Sequence, residues 1–209
     1  MSTAEFPTSL PAPLKDRVIR IITKPKDEWP VIEAEATSVG KLYREYIVFL
    51  AAIPALAGFI GMSLVGISMP IIGTIRIGIV RGLANAIVSY VLTLVGVYVS
   101  AVVIDKLAPS FESRQDQLQA LKLVTYASTP VWIGGVLNII PALAVLAVII
   151  ALYAIYLFYL GLPVLMKTPP AKVIPYMAVA AVVIIVVSFV VGILSTAITG
   201  TRLGATPSF

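Results

Sequence analysis

The sequence contains no cysteine and no histidine in its 209 residues. Their absence removes disulfides, thiol nucleophiles, haem ligation through these side chains and ordinary zinc sites, and it says nothing about the redox compartment. Charge is scarce as well: 12% of residues are charged, against about a quarter in soluble domains. The ten acids lie mostly outside the apolar runs, so carboxylates offer little to a hard cation. No P-loop, HExxH, Gly-x-Gly-x-x-Gly with a following acid, or Gly-x-Ser-x-Gly occurs. Serine and threonine hydroxyls have no histidine base, and the lysines of a formal Ser–Lys arrangement stand at the ends of apolar runs. No acid lies deep in a run, which disfavours proton-coupled transport. The expectation is a protein that is not an enzyme and holds no cofactor or metal.

What is abundant is apolar surface. Hydrophobic residues make up 59% of the chain and the mean hydropathy is +1.02, far above a soluble domain. The length allows one domain of several membrane spans. A net charge of +5 could suggest nucleic acid, but the basic residues flank apolar segments as orientation signals do, with no basic face. Lipid is the expected partner, and nucleic acid is not.

The stretch from Leu121 to Met166 organises the chain as a helical hairpin in the bilayer, joined at Asn138-Ile139-Ile140-Pro141. Asn138 suits a cap and Pro141 the first turn of the returning helix. Equal counts from that turn set Tyr126 opposite Tyr153 and Tyr156, at about 1.5 Å per residue. Pro130 cannot donate to the Tyr126 carbonyl, so Ser128, Thr129 and the tyrosine hydroxyls are candidate partners. Tyr126, Ser128, Thr129, Pro130, Tyr153 and Tyr156 thus form a candidate intramembrane polar cluster. It is either a hinge or small cavity, or a set of groups that glue helices together.

Residues 1–45 read as an N-terminal segment outside the bilayer. A Pro-rich leader precedes Leu14–Thr23, where Leu14, Val18, Ile21 and Ile22 mark an amphipathic helix. Such a helix lies on an anionic membrane surface or docks on the protein's own loops. Lys24-Pro25-Lys26-Asp27-Glu28-Trp29-Pro30 reads as a turn with one aromatic anchor at headgroup level. Seven basic and seven acidic residues leave this segment neutral, against a polybasic lipid clamp. A membrane domain over residues 46–200 follows, then a short tail over 201–209.

The first span covers Tyr46–Ile67, with Pro54 inside it and Ala57 and Gly61 permitting close helix approach. Ser68–Gly78 is broken by Pro70 and Gly73 and alternates with period two, which predicts an extended or re-entrant piece. Arg76 and Arg81 beside it either guide an anion or snorkel to the interface. In the second span, Val80–Leu107, the residues Asn85, Ser89, Thr93, Gly96 and Ser100 form a small, polar stripe expected to face the bundle, as packing or as lining. In the last, Val173–Thr199, a row of Ser188, Gly192, Thr196 and Gly200 predicts a helix–helix contact, within the protomer or between copies.

These segments predict an all-α polytopic bundle of five spans. Twelve of the fifteen Lys and Arg then fall on the side of the N-terminus, making it cytoplasmic and the C-terminus external.

Four motifs together resemble the Yip-domain family, membrane proteins named for interaction with Ypt/Rab GTPases, and in particular its bacterial branch. They are Lys24-Pro25-Lys26-Asp27-Glu28-Trp29-Pro30, Leu50-Ala51-Ala52-Ile53-Pro54, Tyr126-Ala127-Ser128-Thr129-Pro130-Val131-Trp132, and Tyr159-Leu160-Gly161-Leu162-Pro163-Val164-Leu165-Met166. The likeness covers Val18 to Val190. It implies five spans, a cytoplasmic N-terminus and a bacterial inner-membrane location. The Asp-Leu-Tyr-Gly-Pro type element of eukaryotic members is missing, so Rab binding is assigned to no residue. Two functions compete: a non-enzymatic membrane protein acting through protein or lipid contacts, as a homo-oligomer or accessory subunit, and a channel or transporter for a small solute or ion lined by the polar cluster and stripe.

Overall fold

A computed structural model describes residues 13–69, 73–140, 143 and 145–200, with backbone alone for 67–69 and 73–75. Two short helices come first, α1 (Leu14–Thr23) and α2 (Pro25–Ala34). The first long apolar helix runs over Val39–Val65. Within it α3 (Val39–Leu42) and α4 (Val48–Phe59) are each followed by a π-helical turn, at Tyr43–Ile47 and Ile60–Val65. Strands β1 (Ile67–Met69) and β2 (Gly73–Ile75) then pair antiparallel, Ser68 opposite Thr74. Beyond them lie α5 (Ile79–Leu107), α6 (Gln117–Ala127), α7 (Thr129–Gly134), a 3-10 turn (Gly135–Ile139), α8 (Leu146–Leu165) and α9 (Pro170–Thr199).

Four helices are long and apolar enough to cross a membrane: Val39–Val65, Ile79–Phe111, Leu146–Leu165 and Pro170–Thr199. The segment expected to be the third of five spans is no continuous helix. Pro130 cannot donate to Tyr126, so α6 stops at Ala127 and α7 restarts with that proline in its first turn, where no donor is needed. The expected extended piece is present as the hairpin of β1 and β2, while Pro70 lies outside the described residues.

Helix α5 is the hub, packed on α4, α6 and α9, and α8 closes the bundle against α6, α7 and α2. The tightest approaches are made at glycines. A β-carbon on Gly61 would stand 1.9 Å from the Asn138 carbonyl oxygen, so the partner at Gly61 is the turn after α7. That turn was expected to cap the returning helix. Instead Asn138 sits inside the 3-10 turn, α8 starts at Leu146, and Pro141 lies outside the described residues.

The core is concentrated at one end of the bundle, and the N-terminal helices complete it. Trp29, expected as a headgroup anchor in a turn, is fully buried on α2. Its ring would be 2.8 Å from a β-carbon on Gly161 of α8, and Leu123 of α6 closes the same pocket. Helix α1 docks on the protein's own helices through Ile21 and Arg17, both buried. Pro25 opens α2 at its first turn, which explains how a Pro-bracketed motif is helical.

Candidate functional site

Arg17, Glu28, Glu35 and Lys122, all buried at this end, are linked through α2 and the residue that follows it. On α1, Arg17 shares the inward face with Leu14 and Ile21. Glu28 lies on α2 and Glu35 is the extended residue that follows its last turn, and both side chains reach Arg17 of α1. One guanidinium nitrogen of Arg17 donates to Glu28 and the other to Glu35. Arg20 adds a longer ion pair to Glu28 at 3.7 Å. Lys122 is buried as well, although it interrupts the apolar run of α6. Its Nζ donates to the carbonyls of Ile32 at 2.7 Å, Glu33 at 3.2 Å and Glu35 at 2.8 Å. These are free carbonyls at the C-terminal end of α2, where a cation also meets the negative end of the helix dipole. Lys167 ties Glu33 to the start of the last turn at 2.6 Å.

The guanidinium carbon of Arg17 lies 5.7 Å from the centre of the Tyr126 ring. The other side of that ring meets Tyr46 edge-on, with centroids 4.8 Å apart. The Tyr46 hydroxyl in turn hydrogen-bonds the Thr129 hydroxyl at 2.8 Å. Beside these rings is a cavity of about 350 Å³, lined among others by Arg17, Glu35, Arg44, Glu45, Tyr46 and Tyr126.

The expected cluster around Tyr126 is therefore divided. Tyr126 and Thr129 turn to Tyr46 of the first long helix, Pro130 marks the helix break, and Ser128 lines a different cavity. Tyr153 does not join them: its hydroxyl donates to the Ile22 carbonyl at 2.5 Å, and its ring tilts against Tyr156 at 5.8 Å. The turn at Gly135–Ile139 is 3-10, which rises about 2.0 Å per residue rather than 1.5 Å, and α1 supplies the partner of Tyr153.

None of the α5 stripe is exposed. Asn85 accepts from Ser195 of α9 at 2.8 Å, Gly96 brings α5 against Val187 and Val191, and Ser89 and Thr93 bond carbonyls of their own helix. Thr93, Gly96 and Ser100 border a second cavity of about 490 Å³ between α5, α6, α8 and α9, with mostly apolar walls. The row Ser188, Gly192, Thr196 and Gly200 is exposed, and no atom lies within 4 Å of where a Gly192 β-carbon would stand. The residues of α9 that bond α5 are Tyr176, Ser195 and Thr199, none of them in that row.

Sequence reasoning missed Arg17, Glu28, Glu35, Lys122 and Tyr46. A signal was available: Arg17 lies between Leu14 and Ile21 on the apolar stripe, and Ile32 lies between the two glutamates on theirs. A charge on the face that a helix buries needs a partner. Chemically, the arrangement binds helices to one another. All three donors of Lys122 are taken by carbonyls, so it offers no base to a serine. No group of three His, Cys, Asp or Glu side chains able to hold a metal ion occurs among the described residues.

Residues 19–192 match the Yip1 domain. The chain is 26% identical over 121 residues to Inner membrane protein YohC of Escherichia coli strain K12, an overlap covering 58% of this chain and 62% of that one. The protein of the same name from Escherichia coli O6:H1 aligns with the same figures. The chain thus spans less than two thirds of the length of these relatives. No solved structure matches it.

Proposed function

The chain belongs to the Yip1 domain family, and from that premise we propose a non-enzymatic integral membrane protein, a scaffold or accessory subunit acting through protein and lipid contacts. The similar proteins are named for the inner membrane, and we place this chain in a bacterial inner membrane too. The broken segment α6–α7 is the fifth crossing, so the termini lie on opposite sides. The excess of basic residues on the N-terminal side makes that side cytoplasmic.

The observation that carries this reading is the division of labour on α9. Its inner face bonds α5 through Tyr176 and Ser195, and Ser188 borders the inner cavity, while no atom lies within 4 Å of a β-carbon at Gly192, and Gly192 and Thr196 are exposed. Small residues in such a row let two helices approach closely in lipid. A second copy of the chain, or another membrane protein, fits there. Three further tyrosine hydroxyls hold helices together, Tyr43 to the Leu94 carbonyl, Tyr90 to the Val48 carbonyl and Tyr176 to the Ile104 carbonyl.

The test is Gly192→Leu. Nothing inside the protomer resists the added side chain, so the variant folds, and its oligomer in mild detergent dissociates at least about tenfold more readily, a change of about 1.4 kcal/mol. An unchanged oligomer by sedimentation would remove α9 as the contact.

A second reading, passage of a small solute or ion, is favoured by the cavity that Thr93, Ser100 and Ser128 border. Its largely apolar walls suit hydrocarbon better than ions. Purified protein in liposomes is expected to release no ion or small polar solute above empty vesicles; measurable flux would install transport in place of scaffolding.

A further inference from the structure

The cavity beside Tyr126 has chemistry that packing alone does not use. It lies at the level where charge stops: Glu45 is the last charged residue before Arg76, and the intervening stretch is apolar. Phe49, on its lining, is 58% exposed among residues that face lipid. The cavity therefore opens at the boundary between headgroups and hydrocarbon, and its volume of about 350 Å³ is that of a ligand site.

Its charges divide into two groups. Deep in the cavity, Arg17 is committed to Glu28 and Glu35. At the rim, Arg44 makes one bond, from Nε to the Gly40 carbonyl at 3.3 Å, and neither Arg44 nor Glu45 has an ion-pair partner among the described residues. The hydroxyl of Tyr126, a residue only 5% exposed, makes no hydrogen bond among the described residues either. The cavity wall thus carries a cation and an anion without ion-pair partners and a hydroxyl without a hydrogen-bond partner among the described residues.

We propose that this cavity binds the headgroup of a zwitterionic phospholipid with a primary amine, of the phosphoethanolamine type. Arg44 takes the phosphodiester, Glu45 accepts from the ammonium, and the Tyr126 hydroxyl donates to a phosphate or ester oxygen. The acyl chains leave over Phe49 and Leu42 into the bilayer. Charge complementarity selects the headgroup: an anionic lipid satisfies Arg44 but brings no cation to Glu45. A quaternary amine has no N–H to donate to Glu45, whereas a primary ammonium has three. The proposal develops the lipid-contact part of the function above and is independent of self-association through α9. Loss of the oligomer in Gly192→Leu and loss of lipid here are separate results.

The experiment is native mass spectrometry of the full chain, delipidated in detergent and offered equal amounts of palmitoyl-oleoyl phosphatidylethanolamine, phosphatidylglycerol and phosphatidylcholine. Retention of the ethanolamine lipid is expected to exceed the other two at least tenfold. Arg44→Gln and Glu45→Gln, both at exposed positions, abolish that preference, and Tyr126→Phe, which keeps the ring, weakens it several-fold. Equal retention of phosphatidylglycerol, or a preference unchanged in both rim variants, overturns the site. Equal retention of phosphatidylcholine overturns the role of Glu45. Thermal stabilisation by soluble glycerophosphoethanolamine as large as by the lipid overturns a lipid ligand in favour of a free phosphoester.

Discussion

Arg17→Met lowers the stability of the folded chain by about 3–5 kcal/mol, the cost of leaving buried ions without their partner. The side chains of Arg17, Glu28 and Glu35 are 4%, 5% and 7% exposed, so water screens the loss little. Removing the guanidinium strands two carboxylates that the fold brings together only because a cation lies between them. The damage is local at first. Helices α1 and α2 are joined to the bundle through this network, through Lys122 and through Trp29, so the N-terminal segment detaches before the long helices unfold. Limited proteolysis at the exposed Lys26, combined with unfolding in mixed micelles, reads both effects. The triple variant Arg17→Met, Glu28→Gln, Glu35→Gln recovers most of the loss, because it leaves no buried unpaired charge, and Arg20, which loses Glu28, is half-exposed. Wild-type resistance to protease in the single variant would show that the ion network does not hold the segment.

Trp29→Ala has a comparable effect by another route. The indole fills the space over Gly161 between α6 and α8, and deleting a buried tryptophan costs about 3–5 kcal/mol, the transfer term plus the cavity left behind. Helix α8 cannot close that cavity, since α6 already packs against it elsewhere along its length. The converse substitution, Gly161→Leu, places a side chain where the indole lies and expels α2 by overpacking. Both variants are expected to release the same proteolytic fragment as Arg17→Met, with a thermal midpoint below wild type. A Trp29→Ala protein as resistant as wild type would mean that α2 is held by polar contacts alone.

Much of this architecture is legible in the chain because lipid imposes simple rules. Runs of twenty or more apolar residues without charge have no other stable setting. They marked the helices beginning at Val39, Ile79 and Pro170, and α8 within the expected hairpin. Period-two alternation marked the extended piece around Gly73–Ile75. The small and polar stripe of α5 marked the face without exposed residues. The region around Tyr126 was legible as a helix break at Pro130 and as a place where hydroxyls meet, but its partners were not. Tyr46 lies eighty residues away in the chain, and only packing brings it to Thr129.

The N-terminal segment shows the limit most plainly. Its charges balance in number, and a neutral, Pro-containing stretch with one tryptophan reads as a surface turn. The same residues instead form two helices that carry Arg17, Glu28, Glu35 and Trp29 into the core. Local sequence sets helix periodicity and hydropathy, and these reach only a few turns. Whether a charge on a helical face is solvated or buried depends on what the rest of the chain places opposite it, here Lys122 and Gly161 from helices a hundred residues onward. The sequence by itself determined that the chain lives in a membrane and where its long helices run. Only the tertiary structure decided which charges face one another, because pairing free energy depends on distance and dielectric, and neither exists until the helices have packed.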